Sequence, residues 1–178
     1  MMLTQNAVLK HNLIGNWAVQ QHRNTGCTYG GSHDVSLHLE AVVEVAKRHA
    51  PRYFDEQECL LLYSACWCHD LIEDCRLTYN DLRKETSAEL ADIVYAVTNE
   101  MGRNRRERAT KTYPKIKGNS HATFVKLCDR IANSLFSAYS GSSMFEKYRS
   151  ENAEFKAQLF TGEFPEMWEE LDRIFDLR

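Results

Sequence analysis

Proline and glycine are scarce: three prolines and eight glycines are spread over 178 residues. So few breakers leave helix as the default state and supply little turn chemistry for an all-β fold. Long apolar runs are missing too. None approaches the roughly 20 residues that a membrane-crossing helix needs, so no membrane partner is expected. Charge of one sign is not in excess, the formal net charge being -3. That balance argues against a wholesale nucleic-acid or anionic-membrane binder. The opening residues Met1 to Val8 contain no basic stretch followed by an apolar one, so no secretory leader is expected. The six cysteines lack the spacing of a small secreted scaffold. Cys66 and Cys68 lie too close along a helix to pair. Free thiols and a cytoplasmic location follow as expectations.

What is present is an ordinary globular balance, 43% hydrophobic and 26% charged, in helical patterns. Val8 to His22 carries a stripe of Leu9, Leu13, Ile14, Trp17 and Ala18. Arg23 to Ser36 is Gly-rich and polar and reads as a loop. Leu37 to His49 is helical through Leu39, Val42, Val43 and Ala46. Asp55 and Glu58 form a capping-box pattern ahead of a helix from about Gln57 to Ile72, apolar nearly all round in its first half and so expected to be central. Thr78 and Asp81 mark a short turn, and Ser87 caps a helix through Val97. Gly102 to Gly118 is basic. Ala122 to Tyr139 forms another helix, Ser142 or Ser143 starts one ending near Phe160, and Pro165 opens the last, through Leu177. No β-alternation and no linker is visible. The chain reads as one all-α domain, residues 1–178, of about seven to nine helices.

The chemistry is concentrated at the end of the apolar helix, Cys68-His69-Asp70-Leu71-Ile72-Glu73-Asp74. Carboxylates beside a core helix need a partner, and a divalent metal is an economical one. His69 and Glu73, and likewise Asp70 and Asp74, are four apart and share a helical face. His38 opens an amphipathic segment. Asp129 is one acid inside Phe124 to Asn133, with apolar residues on either side. Two His and two Asp from three helices form a donor set suited to Mn, Fe, Co or Zn, able to lower the pKa of a bound water and to clamp phosphate oxygens. His33, five residues before His38, is a second choice for the first ligand. His22, His33 and His121 have no partner legible in the sequence. Cys66, Cys68 and Cys128 flank the ligands and read as packed small hydrophobes. The basic stretch from Arg103 to Lys117 reads either as a solvated face or as a receiver of phosphates, with Arg105, Arg106 and Lys111 as contributors.

His38, His69-Asp70 and Asp129 match the H…HD…D pattern of the HD superfamily. More narrowly, the chain resembles the hydrolase domain of RelA/SpoT homologues, especially the stand-alone small alarmone hydrolases. The likeness lies in His69 to Asp74 with Thr78 and Leu82, in Val94 to Thr98, in Val125 to Asn133, and in Arg23 to Gly26 with Tyr29. It implies an all-α HD bundle that hydrolyses the 3′-diphosphate of guanosine tetra- or pentaphosphate to GDP or GTP and pyrophosphate, with Mn2+. It implies His38, His69, Asp70 and Asp129 as metal ligands, with Glu73 and Asp74 orienting or deprotonating the attacking water. Arg23 would pack on the guanine, and Asn133 and Lys126 would lie near the ribose or phosphates. Asn24 and Phe136 depart from the pattern. Two other readings therefore stay open: an HD-type nucleotidase or dNTP triphosphohydrolase, and, from another class, a nucleotide-binding regulator or toxin-neutralising protein.

Overall fold

The computed structural model describes residues 5–177. Met1 to Thr4, part of the segment read as lacking a leader, and Arg178 lie outside the described residues. The described chain is all-α, with ten α-helices. They are α1 (Gln5–Asn24), α2 (Ser36–His49), α3 (Glu56–Cys68), α4 (Leu71–Asp74), α5 (Tyr79–Glu85), α6 (Ala88–Val97), α7 (Arg105–Ile116), α8 (Ser120–Ser140), α9 (Met144–Leu159) and α10 (Pro165–Phe175). No described helix is long and apolar enough to cross a membrane.

Local chemistry starts several of these elements. Asp55 and Glu58 form a reciprocal capping box on α3, and Thr78 and Asp81 form one on α5. The Ser87 side chain accepts from the Leu90 amide at the start of α6. Each cap satisfies amide groups that the first turn leaves without a helical partner. Asn104 does the same for α7, where composition showed only a basic stretch.

Two helices share the centre. α3 packs against α1, α2, α6 and α8, and α8 packs against α2, α6, α9 and α10 as well. Leu62, Ala65 and Cys66 of α3 and Phe124, Leu127, Cys128 and Ile131 of α8 are fully buried in one apolar cluster. The six cysteines are free, and Cys66, Cys68 and Cys128 are enclosed in that cluster.

Two details differ from the periodicity and bear on the site. The helix expected to run to Ile72 ends at Cys68, with His69 as its cap and Asp70 in the bridge region at φ -99° and ψ 0°. The Arg23 to Ser36 stretch contains a hairpin, β1 (Thr28–Tyr29) and β2 (His33–Asp34), paired antiparallel. Two-residue strands are too short to show alternation in sequence. The turn uses Gly30 at φ +57°, and a Cβ there would stand 2.7 Å from the Phe136 ring. Phe136 thus anchors the hairpin, packing on Tyr29 at 4.5 Å between centroids.

Candidate metal centre

Three core elements aim side chains at one point. His38 projects from the first turn of α2, His69 and Asp70 from the break between α3 and α4, and Asp129 from the middle of α8. The break matters because successive residues of a continuous helix point about 100° apart. With the chain turned at Asp70, His69 Nε2 and Asp70 Oδ2 come within 3.0 Å. His38 Nε2 lies 3.3 Å from His69 Nε2, 3.4 Å from Asp129 Oδ1 and 3.6 Å from Asp70 Oδ2. Two donors at about 2.1 Å from a common ion stand about 3.0–3.6 Å apart for bond angles of about 90–120°; His38, His69 and Asp129 offer donor atoms that all lie within 4.8 Å of one another and could hold a cation, with Asp70 beside both imidazoles.

The neighbours hold the donors in place. His69 Nδ1 donates to the Cys66 carbonyl at 2.8 Å. A carbonyl only accepts, so Nδ1 carries the proton and Nε2 presents the lone pair when the ring is neutral. Tyr29 stacks on His38 at 4.7 Å between centroids and donates its hydroxyl to Asn133 Oδ1 at 3.0 Å. Asn133 in turn donates from Nδ2 to Asp129 Oδ1 at 2.5 Å. The hairpin is thereby tied to α8 through the acid at the site.

The electrostatics are those of a tightly balanced cluster. Burial alone would lower the His69 imidazole, but the Asp70 and Asp129 carboxylates outweigh it and hold the group well above the ordinary His range. Burial would likewise raise Asp129, yet Lys126, then His38 and His69, keep it well below the ordinary carboxylate range. A divalent cation at this point competes with protons for the same lone pairs, so its binding releases protons. Asp74 behaves oppositely: loss of hydration first, then the charges of Asp70 and Glu73, push its carboxyl up to about 6.

Asp70 and Asp129 open onto a cavity of about 310 Å³ between α7, α8 and α9. Arg105, Arg106, Arg108, Lys126 and Arg130 line it, with Tyr148 and Glu151. Arg105 makes a two-pronged contact to Glu151, at 2.8 and 3.0 Å, and Arg130 reaches the same carboxylate at 3.1 Å. Arg130 also lies over the Tyr148 ring.

No protein-family model matches the chain, and no curated protein matches it by sequence. Solved structures do. One is described as a metazoan ortholog of SpoT that hydrolyzes ppGpp; it is 20% identical, with a TM-score of 0.76, covering 99% of this chain and 97% of that chain. Another is a protein of Listeria monocytogenes EGD-e, 22% identical, with a TM-score of 0.60, covering 78% of this chain and 96% of that chain. The chain shares its fold with these two structures.

Against that fold, each residue singled out in the sequence has a definite place. His38, not His33, lies with His69; His33 is exposed in β2 against the edge of Phe136. Lys126 Nζ stands 3.4 Å from Asp129 Oδ2, a largely enclosed cation that lines the cavity with Asp70 and Asp129. Asn133 lines the cavity but spends its amide on Asp129. The Glu73 carboxylate accepts from the Asn99 amide and side chain at 2.8 and 2.9 Å. Asp74 has a carboxylate oxygen within 4.8 Å of donor atoms of His22 and Cys27, and it feels the charges of Asp70 and Glu73. Arg105 and Arg106 line the cavity, whereas Lys111 lies outside it, bonded to Glu107 and the Met101 carbonyl. Arg23 is also outside the cavity, at the C-terminal end of α1, and forms a two-pronged pair with Asp34 at 3.0 and 3.3 Å.

Arg108, Arg130 and Tyr148 line the cavity without having been singled out. Arg108 follows Arg105 by three residues and Arg130 follows Lys126 by four, the spacings that place side chains on one helical face. That signal was available once α7 was recognised as a helix. Tyr148 had none, because α9 meets the cavity only through the tertiary fold.

Proposed function

We propose that the chain is a phosphohydrolase that removes the 3′-diphosphate of guanosine tetra- or pentaphosphate, giving GDP or GTP and pyrophosphate. The observation that carries this reading is the convergence of two imidazoles and two carboxylates at the edge of a cavity lined with cations. A ligand with two diphosphates needs several cations and a divalent ion at one end, and both are offered side by side. The fold of the ppGpp-hydrolyzing metazoan SpoT ortholog supports the same reading.

His38, His69, Asp70 and Asp129 would hold the metal, Mn2+ being the first choice. When bound, it would acidify a water and draw charge from phosphate oxygens. Lys126, Arg106 and Arg108 would meet the phosphates, while Arg105 and Arg130 would become available if Glu151 moves aside. Glu73 and Asp74 would orient the attacking water or take its proton. The raised Asp74 carboxyl suits proton exchange near neutral pH. We also assign residues 1–178 to a single domain, on the strength of one continuous apolar cluster.

One observation favours a second reading, an HD-type nucleotidase or dNTP triphosphohydrolase. Arg23 is held by Asp34 outside the cavity, which leaves the guanine without that stacking partner. A substrate panel tests both readings. The purified protein with Mn2+ is given guanosine tetraphosphate, guanosine pentaphosphate, dATP, dGTP and nucleoside monophosphates. Pyrophosphate from the 3′-phosphorylated nucleotides alone is the expected result. Orthophosphate from monophosphates, or tripolyphosphate from dNTPs, would overturn it in favour of the second reading. Tight nucleotide binding with no product would instead point to a regulator.

A further inference from the structure

A second donor cluster lies beside α4, outside the set just described. A ring nitrogen of His22, Sγ of Cys27 and a carboxylate oxygen of Asp74 all lie within 4.8 Å of one another. His22 is fully buried, and neither of its ring nitrogens has a hydrogen-bond partner among the described residues. Buried imidazoles are ordinarily satisfied, so a ring with two orphaned nitrogens is an exception that asks for an unseen partner.

The local chain explains why these groups meet. α1 ends in a Schellman motif: the Cys27 amide donates to the His22 carbonyl at 3.1 Å and the Gly26 amide to the Arg23 carbonyl at 3.1 Å, with Gly26 at φ +71°. This motif brings the side chains of its first and last residues together, here an imidazole and a thiol. α4 packs against the same end of α1 and supplies Asp74. The Thr25 hydroxyl lies 3.1 Å from Cys27 Sγ, and the thiol lies 3.7 Å from the Asp74 carbonyl oxygen, which sets it beside α4.

We propose that His22, Cys27 and Asp74 form a second cation site, distinct from the His38, His69, Asp70 and Asp129 set and selective for a thiophilic divalent ion such as Zn2+ or Co2+. A nitrogen, a thiolate and a carboxylate with one position left open match the three-ligand sites that zinc occupies. The hard ions that suit an all-N/O set gain little from a thiolate. The two sites share no ligand, and filling the second would occupy the Asp74 carboxylate assigned above to the attacking water. The binding proposal stands whether or not the chain hydrolyses alarmones.

Co2+ provides a direct test because a Co2+–thiolate bond produces a near-ultraviolet charge-transfer band that N/O ligands do not. The full chain is stripped with chelator and titrated with Co2+. A charge-transfer band is expected, saturating within two equivalents in the wild type, where the first set also takes Co2+, and at one equivalent in Asp70→Asn, where the first set is broken. Cys27→Ser should abolish the band, and Asp74→Asn should weaken Co2+ binding there by at least about tenfold, since even outer-sphere changes at metal sites cost about 10–100-fold. Cys27 is only half-buried, so Cys27→Ser should fold, and a thermal melt checks it. No band in the wild type would overturn the proposal. So would a band that survives Cys27→Ser, or one that Cys75→Ser abolishes while Cys27→Ser does not. Failure of alarmone hydrolysis in the substrate panel would leave the band unchanged.

Discussion

Lys126 is the most informative single position at the candidate metal centre. Its ammonium stands 3.4 Å from Asp129 Oδ2, with the two side chains 11% and 14% exposed. At an effective dielectric of about 20, that separation corresponds to about 5 kcal/mol of attraction. Breaking a buried pair by removing one partner costs about 3–5 kcal/mol. Asp129 retains the Asn133 amide and lies beside two imidazoles that can take up a proton. We therefore expect Lys126→Met to lose about 2–3 kcal/mol in chelator, below the full cost of an orphaned charge. For a domain of this size that lowers Tm by about 4–12 °C. Metal binding should change in the opposite direction. A Lys ammonium next to a cation site repels the cation, so its removal should tighten Mn2+ binding at least about fivefold, the equivalent of about 1 kcal/mol. The variant should accordingly recover more stability from saturating Mn2+ than the wild type does. Melting curves in chelator and in Mn2+, with calorimetric titration of Mn2+, measure all three quantities. A variant that melts within 1 °C or so of the wild type in chelator, on the same scaling, or that binds Mn2+ more weakly, would refute this account of the site.

Glu73→Ala should leave metal bound while turnover falls about 10²–10⁴-fold, the range for losing a general acid–base group; metal analysis showing an empty protein would make Glu73 a ligand instead. Gly30→Ala should destabilise by about 1–3 kcal/mol, through a left-handed backbone and contact with Phe136, and a chemical denaturation curve unchanged from wild type would disprove that packing. Glu151 is held below its ordinary range because Arg105 and Arg130 outweigh the effect of burial. A depressed carboxyl stabilises the fold above its unfolded pKa, about 4.3, and loses that contribution as pH falls through the lower folded value. Glu151→Gln should therefore be less stable than wild type at neutral pH, with the gap closing in acid; a gap constant between pH 7 and about 2.5 would contradict the pairing.

Much of the helical framework can be read from local chemistry. Caps at Asp55, Thr78 and Ser87 act within three residues, and the apolar stripes of α2, α6 and α8 repeat at helical spacing, so neighbours in sequence carry those signals. The candidate ligands were legible for a related reason: an acid or imidazole set among core-facing residues, as at His38, His69 and Asp129, is costly unless partnered. Three things needed the tertiary structure. The break at Asp70 leaves no mark on the apolar pattern, yet it turns His69 and Asp70 to the same point. The hairpin at Thr28 to Asp34 is set by the Phe136 ring, more than 100 residues away in sequence. The uses of the basic residues depend on where α7 docks: the same stretch sends Arg105, Arg106 and Arg108 into the cavity and leaves Lys111 outside it. Sequence by itself determined which groups would be expensive to bury, because that depends on residue type and local pattern. The packing of α2, α3, α4 and α8 alone decided which of those groups share a site, because a site is a meeting of side chains whose separation along the chain says nothing about their separation in space.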